Sequence, residues 1–274
     1  MSRVAAIQMA SGPNVGANLI EVKRLIAIAV DADADLIVLP ENFAIMGLTE
    51  EDKVALAEKE GDGPIQTFLS QQAKDNGVWI VGGTIPLACA DDNKVRAACL
   101  LFDAAGKQVA RYDKIHLFDV MLEENKESYI ESETIEAGDS CVVVDTPFGR
   151  LGLAICYDLR FPELFRTLLD QGVEIIAVPS AFTAITGRAH WETLVRARAI
   201  ENLSYMIAAA QGGYHVNGRE TYGNSMIVDP WGTVLDRLPN GSGVITAEID
   251  PVRLAQTRQN FPAISHRKLF CGTR

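Results

Sequence analysis

Cysteine and histidine are scarce in this sequence, and none of them has the spacing of a metal site. The 274 residues include five cysteines and four histidines, without a Cys-x-x-Cys pair. An odd number of cysteines in a chain of this size argues against a disulfide framework. The sequence therefore predicts reduced thiols, a cytoplasmic protein and no bound metal. The cysteines are Cys89, Cys99, Cys141, Cys156 and Cys271.

The sequence also lacks a cluster of basic residues and a long apolar run. Its formal net charge is −11, so nucleic acid is not an expected partner. No segment approaches the roughly 20 apolar residues of a membrane span, and the first residues do not resemble a signal peptide. We therefore expect no membrane association. An anionic substrate would need local cations in its site, because the acidic surface repels it.

Hydrophobic residues make up 48% of the chain and recur in short runs between amphipathic segments. The runs Val4 to Met9 and Leu36 to Leu39 predict strands, whereas the spacing over Asn18 to Val30 predicts a helix. Further helices are predicted over Pro64 to Asn76, closed by Gly77, and over His190 to Leu203. The acidic stretch Glu123 to Gly138 has little periodicity and predicts a long surface loop. Because no linker interrupts this pattern, the sequence predicts one α/β domain over residues 1–274, with two sheets packed face to face and covered by helices.

Three side chains of different chemistry follow predicted strands. Cys156 follows the apolar run Leu151 to Ile155, and Glu41 and Lys114 follow two other strands. Ligand sites in open α/β sheets form at the carboxyl ends of strands, so the three can share one site. A thiolate attacks an acyl carbon, a carboxylate transfers protons, and an ammonium stabilises the oxyanion. The three residues are therefore candidates for catalysis.

The immediate surroundings of Cys156 predict an activated thiolate. A helix that begins near Pro162 would lower the pKa of the thiol, and the backbone N–H of Tyr157 is the predicted oxyanion donor. Each residue also has a simpler interpretation when it is taken alone. Cys156 would be a small buried hydrophobe, Glu41 a capping or salt-bridging carboxylate, and Lys114 a surface charge. Their joint occurrence at strand ends favours the catalytic interpretation.

The segments around these residues resemble the signatures of the nitrilase, or carbon–nitrogen hydrolase, superfamily. The resemblance implies a four-layer αββα sandwich of the nitrilase type, a homodimer, the triad Glu41, Lys114 and Cys156, and no cofactor. It also implies a second glutamate after the lysine strand, for which Glu127 is the candidate within an acidic run. The matching segments are Pro40-Glu41-Asn-Phe43, Tyr112-Asp-Lys114-Ile-His-Leu-Phe118, Gly152-Leu-Ala-Ile-Cys156-Tyr-Asp-Leu-Arg-Phe-Pro-Glu163, Pro179 to Phe182, Ala189 to Glu201, Tyr222 to Met226 and Val228 to Gly232.

Within the superfamily the sequence is similar to the Nit branch. The resemblance implies hydrolysis of a terminal carboxamide of an α-keto acid to carboxylate and ammonia, through a thioester. The stretch Ala208 to His215 resembles that of the branch member that acts on a substrate of tripeptide size, and this resemblance implies such a substrate in preference to a short α-keto amide. Three alternatives stay open at this point: the short amide, nitrile or N-carbamoyl hydrolysis on the same scaffold, and a non-catalytic binding role. The expected partners are a small-molecule amide and water.

An anionic substrate of this kind needs cationic and apolar contacts. The candidates for a bidentate contact with a substrate carboxylate are Arg160, which could instead pair with Glu163, and Arg188, in a predicted loop over Thr183 to Ala189. His190 and Trp191 are expected either beside the site or at a dimer surface. The candidate apolar walls of the pocket are Phe118, Tyr129 and Phe182.

Overall fold

The structure is a computed structural model that describes residues 1–122 and 127–269, with the backbone alone for Leu122 and Glu127. The strands are β1 (Ser2–Gln8), β2 (Leu36–Val38), β3 (Trp79–Val81), β4 (Ile85–Ala88), β5 (Val95–Phe102), β6 (Gln108–Asp113), β7 (Asp119–Leu122), β8 (Glu127–Ile130), β9 (Val142–Thr146), β10 (Gly149–Leu153), β11 (Ile175–Ala177), β12 (Tyr205–Ala208), β13 (Gly212–Tyr214), β14 (Glu220–Tyr222), β15 (Ser225–Val228), β16 (Val234–Leu238) and β17 (Gly243–Ile249). The helices are α1 (Val15–Asp31), α2 (Glu51–Ala55), α3 (Pro64–Asn76), α4 (Pro162–Asp170), α5 (Ala184–Asn202) and α6 (Pro251–Asn260).

Two large sheets carry the fold. The first has seven strands in the order β17-β1-β2-β3-β5-β4, with β6 also paired to β5. The second has six strands in the order β16-β15-β12-β11-β10-β9. Strands β1, β2 and β3 are parallel to one another, and so are β10, β11 and β12. The carboxyl ends of parallel neighbours lie at one edge of each sheet, where the following loops can bring functional groups together.

The alternation of side chains along the strands produces the layers. On β1, Val4 and Ala6 belong to the core between the sheets, whereas Ala5 and Ile7 belong to the core under α1 and α3. The core between the sheets continues through the second sheet to α4 and α5. Since successive side chains of a strand point to opposite faces, an entirely apolar strand must be covered on both sides. The resulting helix–sheet–sheet–helix order confirms the predicted αββα sandwich.

The predicted long loop over residues 123–138 is wrong for the described part of that segment. Strand β8 pairs with β7 in an antiparallel hairpin in which Val120 lies opposite Tyr129. A 3₁₀ helix, Glu131–Glu133, follows directly. The hairpin is acidic and largely exposed, so no alternation of buried and exposed residues marked it in the sequence. In the described part of the chain no helix combines the length and the apolar character that a membrane span requires.

Candidate active site

Glu41, Lys114 and Cys156 meet at the edge where the carboxyl ends of the parallel strands lie. They follow β2, β6 and β10, respectively. The Lys114 Nζ lies 2.7 Å from a carboxylate oxygen of Glu41. The same carboxylate is close enough to the Cys156 thiol for each group to shift the pKa of the other. The exposed fractions of the three residues are only 3%, 2% and 8%. The interpretation of Lys114 as a surface charge is therefore wrong.

The corner that carries Cys156 is held in an uncommon conformation. Its φ is +44°, a left-handed value that few residues other than glycine adopt. The Cys156 N–H donates to the Pro179 carbonyl at 2.9 Å. The fully buried carboxylate of Asp158 accepts hydrogen bonds from the Ile155 N–H at 2.8 Å and from the Tyr112 hydroxyl at 2.7 Å. These contacts maintain the strained corner, and backbone strain of this kind is concentrated at functional sites.

The prediction of a pre-formed thiolate is wrong. Burial raises the pKa of the Cys156 thiol and the Glu41 carboxylate raises it further, while Lys114 and the Ala181 N–H, 3.5 Å from Sγ, offset this only in part. A short 3₁₀ helix, Cys156–Arg160, also separates the cysteine from α4, so the thiol is not at the start of that helix. The thiol is therefore protonated in the free protein, with a carboxylate beside it as a proton acceptor.

A second carboxylate, Glu131, contacts Lys114, although no pattern in the sequence distinguished it from the neighbouring acids. Both of its oxygens lie 2.8 Å from the lysine Nζ, and Oε2 also accepts the Phe118 N–H at 2.7 Å. The candidate from the sequence, Glu127, opens β8, and its side chain lies outside the described residues. The acidic run was the available signal, but only the hairpin geometry shows which of its acids turns towards the lysine.

The two carboxylates determine the charge of the lysine. Burial lowers the pKa of Lys114, but Glu131 and Glu41 outweigh burial and hold it well above its ordinary value. Burial likewise raises the pKa of Glu41, but the Lys114 ammonium outweighs this and brings it below its ordinary value. The cluster therefore contains two carboxylates, one ammonium and one neutral thiol. An ammonium has three donors, and three carboxylate oxygens lie within hydrogen-bonding distance of Nζ, one of Glu41 and two of Glu131.

A cavity of about 360 Å³ opens onto the cluster, and its size is within the range of small-molecule sites. The three aromatic residues predicted as its walls, Phe118, Tyr129 and Phe182, line the cavity together with the ring of Tyr157. The aromatic rings form a continuous series, with Phe118 5.2 Å from Tyr129 and 5.1 Å from Tyr157 between ring centres. Within residues 1–122 and 127–269, no group of three or more histidine, cysteine or acidic side chains could hold a metal ion.

Arg160 lies in this cavity without a carboxylate partner in the described part of the chain. Its guanidinium carbon is 5.1 Å from the ring centre of Phe182 and 5.6 Å from that of Tyr157. Its Nη1 lies 3.0 Å from Nδ1 of His190. The alternative of a structural pair with Glu163 is therefore wrong, and the guanidinium is available to an anionic ligand.

Arg188 lies outside the cavity, contrary to its selection as a substrate contact. The segment that the sequence suggested to be a loop is the first part of α5, and the Arg188 Nε donates to the Ala184 carbonyl at 3.2 Å. Its exposed side chain borders a separate groove on the outer face of that helix. Trp191 packs instead behind the cavity wall, 4.9 Å from the Phe182 ring, and its Nε1 donates to the Asn224 carbonyl at 2.7 Å.

A further cation, Arg219, also lines the cavity, and no sequence pattern selected it. It lies between β13 and β14, and its Nη2 donates to the Ala181 carbonyl at 3.0 Å. Its guanidinium carbon is 5.0 Å from the ring centre of Tyr129. Its Nε is buried and has no hydrogen-bond partner among the described residues.

The fold is that of the nitrilase superfamily, and residues 3–259 match the carbon–nitrogen hydrolase family, to which the chain belongs. It is 44% identical to the deaminated glutathione amidase of Synechocystis, over 96% of this chain and 97% of that protein. It is 41% identical to the deaminated glutathione amidase of Yersinia enterocolitica, over 97% of this chain and 93% of that protein.

Two solved structures are similar over nearly the whole chain. Saccharomyces cerevisiae Nit3, a member of branch 10 of the nitrilase superfamily, superposes with a TM-score of 0.87 at 32% identity, over 98% of this chain and 97% of that one. The Caenorhabditis elegans NitFhit protein superposes with a TM-score of 0.91 at 38% identity. The alignment covers 97% of this chain and 65% of NitFhit, so this chain corresponds to part of that fusion protein.

Proposed function

We propose that the protein is a cysteine-dependent amidase that hydrolyses deaminated glutathione. The buried ion pair of Glu41 and Lys114, which lines a small-molecule cavity together with Cys156, is the observation that carries this proposal. The names of the two relatives support the substrate. In deaminated glutathione the scissile bond is a secondary amide between an α-keto diacid and cysteinylglycine. The first product is then a dipeptide amine, and not the ammonia expected for a terminal carboxamide.

In the proposed reaction the Cys156 Sγ attacks the amide carbon while Glu41 accepts the thiol proton. The C–N bond then breaks, Glu41 gives this proton to the leaving nitrogen, and a thioester remains on Cys156. Glu41 next takes a proton from water, which attacks the thioester. The C–S bond then breaks, Glu41 returns the proton to the Cys156 sulfur, and the α-keto diacid leaves. The raised pKa of the thiol and the lowered pKa of the carboxyl support this sequence, because they leave a protonated nucleophile beside an ionised acceptor.

The negative charge on the tetrahedral intermediate needs donors that are already in place. We assign this role to the Lys114 ammonium and to the backbone N–H of Tyr157. Glu131 supports it indirectly, because it holds the ammonium with both carboxylate oxygens and keeps its pKa high. Arg160 binds the carboxylate next to the keto group, since it faces the cavity, has no carboxylate partner among the described residues and forms bidentate contacts readily.

The matched variants Glu131→Gln and Glu127→Gln distinguish the two candidates for the second glutamate. We expect Glu131→Gln to lower kcat by about 100-fold, because the ammonium loses a charged partner that positions it. Glu127→Gln is expected to change kcat by less than about threefold. Steady-state rates and melting temperatures of both variants measure this. A greater loss in Glu127→Gln would assign the supporting role to Glu127, as the sequence suggested.

The charge states in the cluster predict activity that persists in mild acid. Because Lys114 holds the pKa of Glu41 below its ordinary value, the acid limb of kcat/KM should lie below about pH 4.3. The same lowered pKa stabilises the folded state above that pH, and this contribution is lost as the pH falls through the folded-state value. Circular dichroism at each pH therefore separates loss of catalysis from unfolding. An acid limb centred near pH 6 to 7 would assign the proton acceptor to another group.

A panel of substrates tests the proposed function itself. The panel comprises deaminated glutathione, α-ketoglutaramate and a short nitrile, and the products measured are cysteinylglycine, ammonia and α-ketoglutarate. We expect kcat/KM for deaminated glutathione to exceed the others by at least about tenfold. A preference for α-ketoglutaramate would make the protein an omega-amidase, and a preference for the nitrile would contradict the amidase assignment.

We further propose that one domain forms the chain, that two copies assemble into a homodimer and that the protein is cytoplasmic. The unbroken family match over residues 3–259 supports the first point. The partly exposed pair Trp231 and Phe261, with ring centres 5.3 Å apart, supports an interface, because such apolar patches are common at contact sites. The four described cysteines are free, which supports a reducing compartment. Light scattering, limited proteolysis and cell fractionation test these points.

A further inference from the structure

Arg219 is a cavity cation whose hydrogen-bonding capacity is largely unused. Among the described residues its guanidinium has one hydrogen-bond partner, the Ala181 carbonyl, and no carboxylate partner. The carboxylate of Glu50 also lines the cavity, but it pairs with Lys53 at 2.6 Å. A buried Nε without a partner is rare in folded proteins and needs an explanation.

Arg219 and Arg160 lie at opposite ends of the series of aromatic rings. Arg219 contacts the ring of Tyr129, and Arg160 contacts the ring of Tyr157. Phe118 lies between these two rings and contacts both. Two guanidinium groups separated by three rings match a ligand with a negative charge at each end and an uncharged middle.

The catalytic cluster indicates which arginine faces the acyl group of the ligand and which faces its leaving group. Glu41 must lie near the leaving nitrogen, because in the proposed reaction it protonates that atom. Arg160 belongs to the same short 3₁₀ helix as Cys156, whose sulfur carries the acyl group in the proposed reaction. Arg219 lies at the other end of the ring series, and its charge contributes to the lowered pKa of Glu41. Arg219 therefore lies on the side of the leaving group, and Arg160 on the side of the acyl group.

We propose that Arg219 binds the terminal carboxylate of the leaving group and thereby selects amides with an anionic leaving group over short primary amides. This inference rests on the proposed function. In deaminated glutathione the carboxylate is that of the glycine, which departs with cysteinylglycine. α-Ketoglutaramate releases ammonia, so its leaving group has no carboxylate that Arg219 could bind. Arg219 is thus a specificity-determining residue, and Arg160 serves both substrates.

The test compares Arg219→Met with Arg160→Met on both substrates. For deaminated glutathione we expect kcat/KM of Arg219→Met to fall about 10- to 100-fold, the effect of one lost charge-assisted contact. For α-ketoglutaramate, kcat/KM of the same variant should differ from that of the wild-type protein by less than about threefold. Arg160→Met is the matched control, because it should weaken both substrates. Arg219→Lys should recover part of the loss, since it keeps the charge without the bidentate fork.

A change in the substrate repeats the test without changing the fold. The second substrate is deaminated glutathione with its glycine carboxylate converted to an amide. Its kcat/KM with the wild-type protein should be lowered by about the same factor as the kcat/KM of Arg219→Met for unmodified deaminated glutathione. Arg219→Met should barely distinguish the two substrates. Equal losses of Arg219→Met on deaminated glutathione and α-ketoglutaramate would reduce Arg219 to a positioning residue, and no loss on either would remove it from the site. A wild-type protein inactive on deaminated glutathione would instead overturn the proposed function, and this inference with it.

Discussion

Replacement of Cys156 by alanine is expected to abolish amide hydrolysis and to leave the fold intact. Without the Sγ no thioester forms, and the remaining oxyanion donors cannot replace a covalent route. Loss of a nucleophile from a catalytic unit lowers kcat by about 10⁴-fold or more. Release of cysteinylglycine from deaminated glutathione measures the loss. The melting temperature should change little, because the alanine side chain fits the same strand-end corner.

Cys141→Ala is the matched control for this variant. Cys141 is also a free thiol, but it is only half-buried and packs against the core between the sheets, outside the cavity. Its removal should change kcat by less than about threefold. If Cys156→Ala kept more than about 1% of the wild-type rate while it was free of wild-type contamination, the assignment of Cys156 as the nucleophile would be wrong.

Glu41→Gln is expected to separate turnover from thiol reactivity. Turnover should fall by at least about 10³-fold, because the amide side chain neither accepts the thiol proton nor protonates the leaving nitrogen. The pKa of the Cys156 thiol should fall in the same variant, because the Glu41 carboxylate is one of the groups that raise it. Iodoacetamide should therefore alkylate Cys156 faster than in the wild type at pH 8, although catalysis is lost.

A fall in turnover together with a rise in the alkylation rate of Cys156 distinguishes a residue that transfers protons from a structural residue. A variant that merely disturbed the corner would lose turnover without a gain in alkylation at Cys156, read by peptide mass spectrometry. Glu133→Gln, at an exposed acid that also lines the cavity, is the control and should change both quantities by less than about threefold. Slower alkylation in Glu41→Gln would contradict the view that this carboxylate holds the thiol in its protonated form.

Local signals predicted the elements that they mark strongly. Helix α3 begins at Pro64 and ends before Gly77, whose φ of +65° is the left-handed cap expected from its sequence. Helix α5 begins six residues earlier than predicted, at Ala184. Its first turn contains Gly187, which favours a loop in isolation but is required here, because a side chain would meet the ring of Tyr222. A tertiary contact therefore overrode the local propensity.

The site shows the same division between local and tertiary information. Glu41, Lys114 and Cys156 were predicted because each follows a predicted strand and lies in a recognisable segment. Glu131 lies in the short 3₁₀ helix after the β7–β8 hairpin, Arg219 lies in a polar loop, and only folding brings them to the cavity. The direction of the pKa shift of the Cys156 thiol was predicted wrongly, because the effects of burial and of a neighbouring acid depend on three-dimensional packing rather than on sequence order.

The protonated state of the resting Cys156 thiol also bears on the chemical durability of the protein. Peroxide and most electrophiles react with thiolates, and their rates follow the exposed thiolate fraction. A thiol that loses its proton only to Glu41 during attack on a bound amide offers little thiolate to such reagents between turnovers. The protein should consequently resist oxidation to the sulfenic acid, and the rate of its inactivation by peroxide should rise as the pH approaches the raised pKa of the thiol.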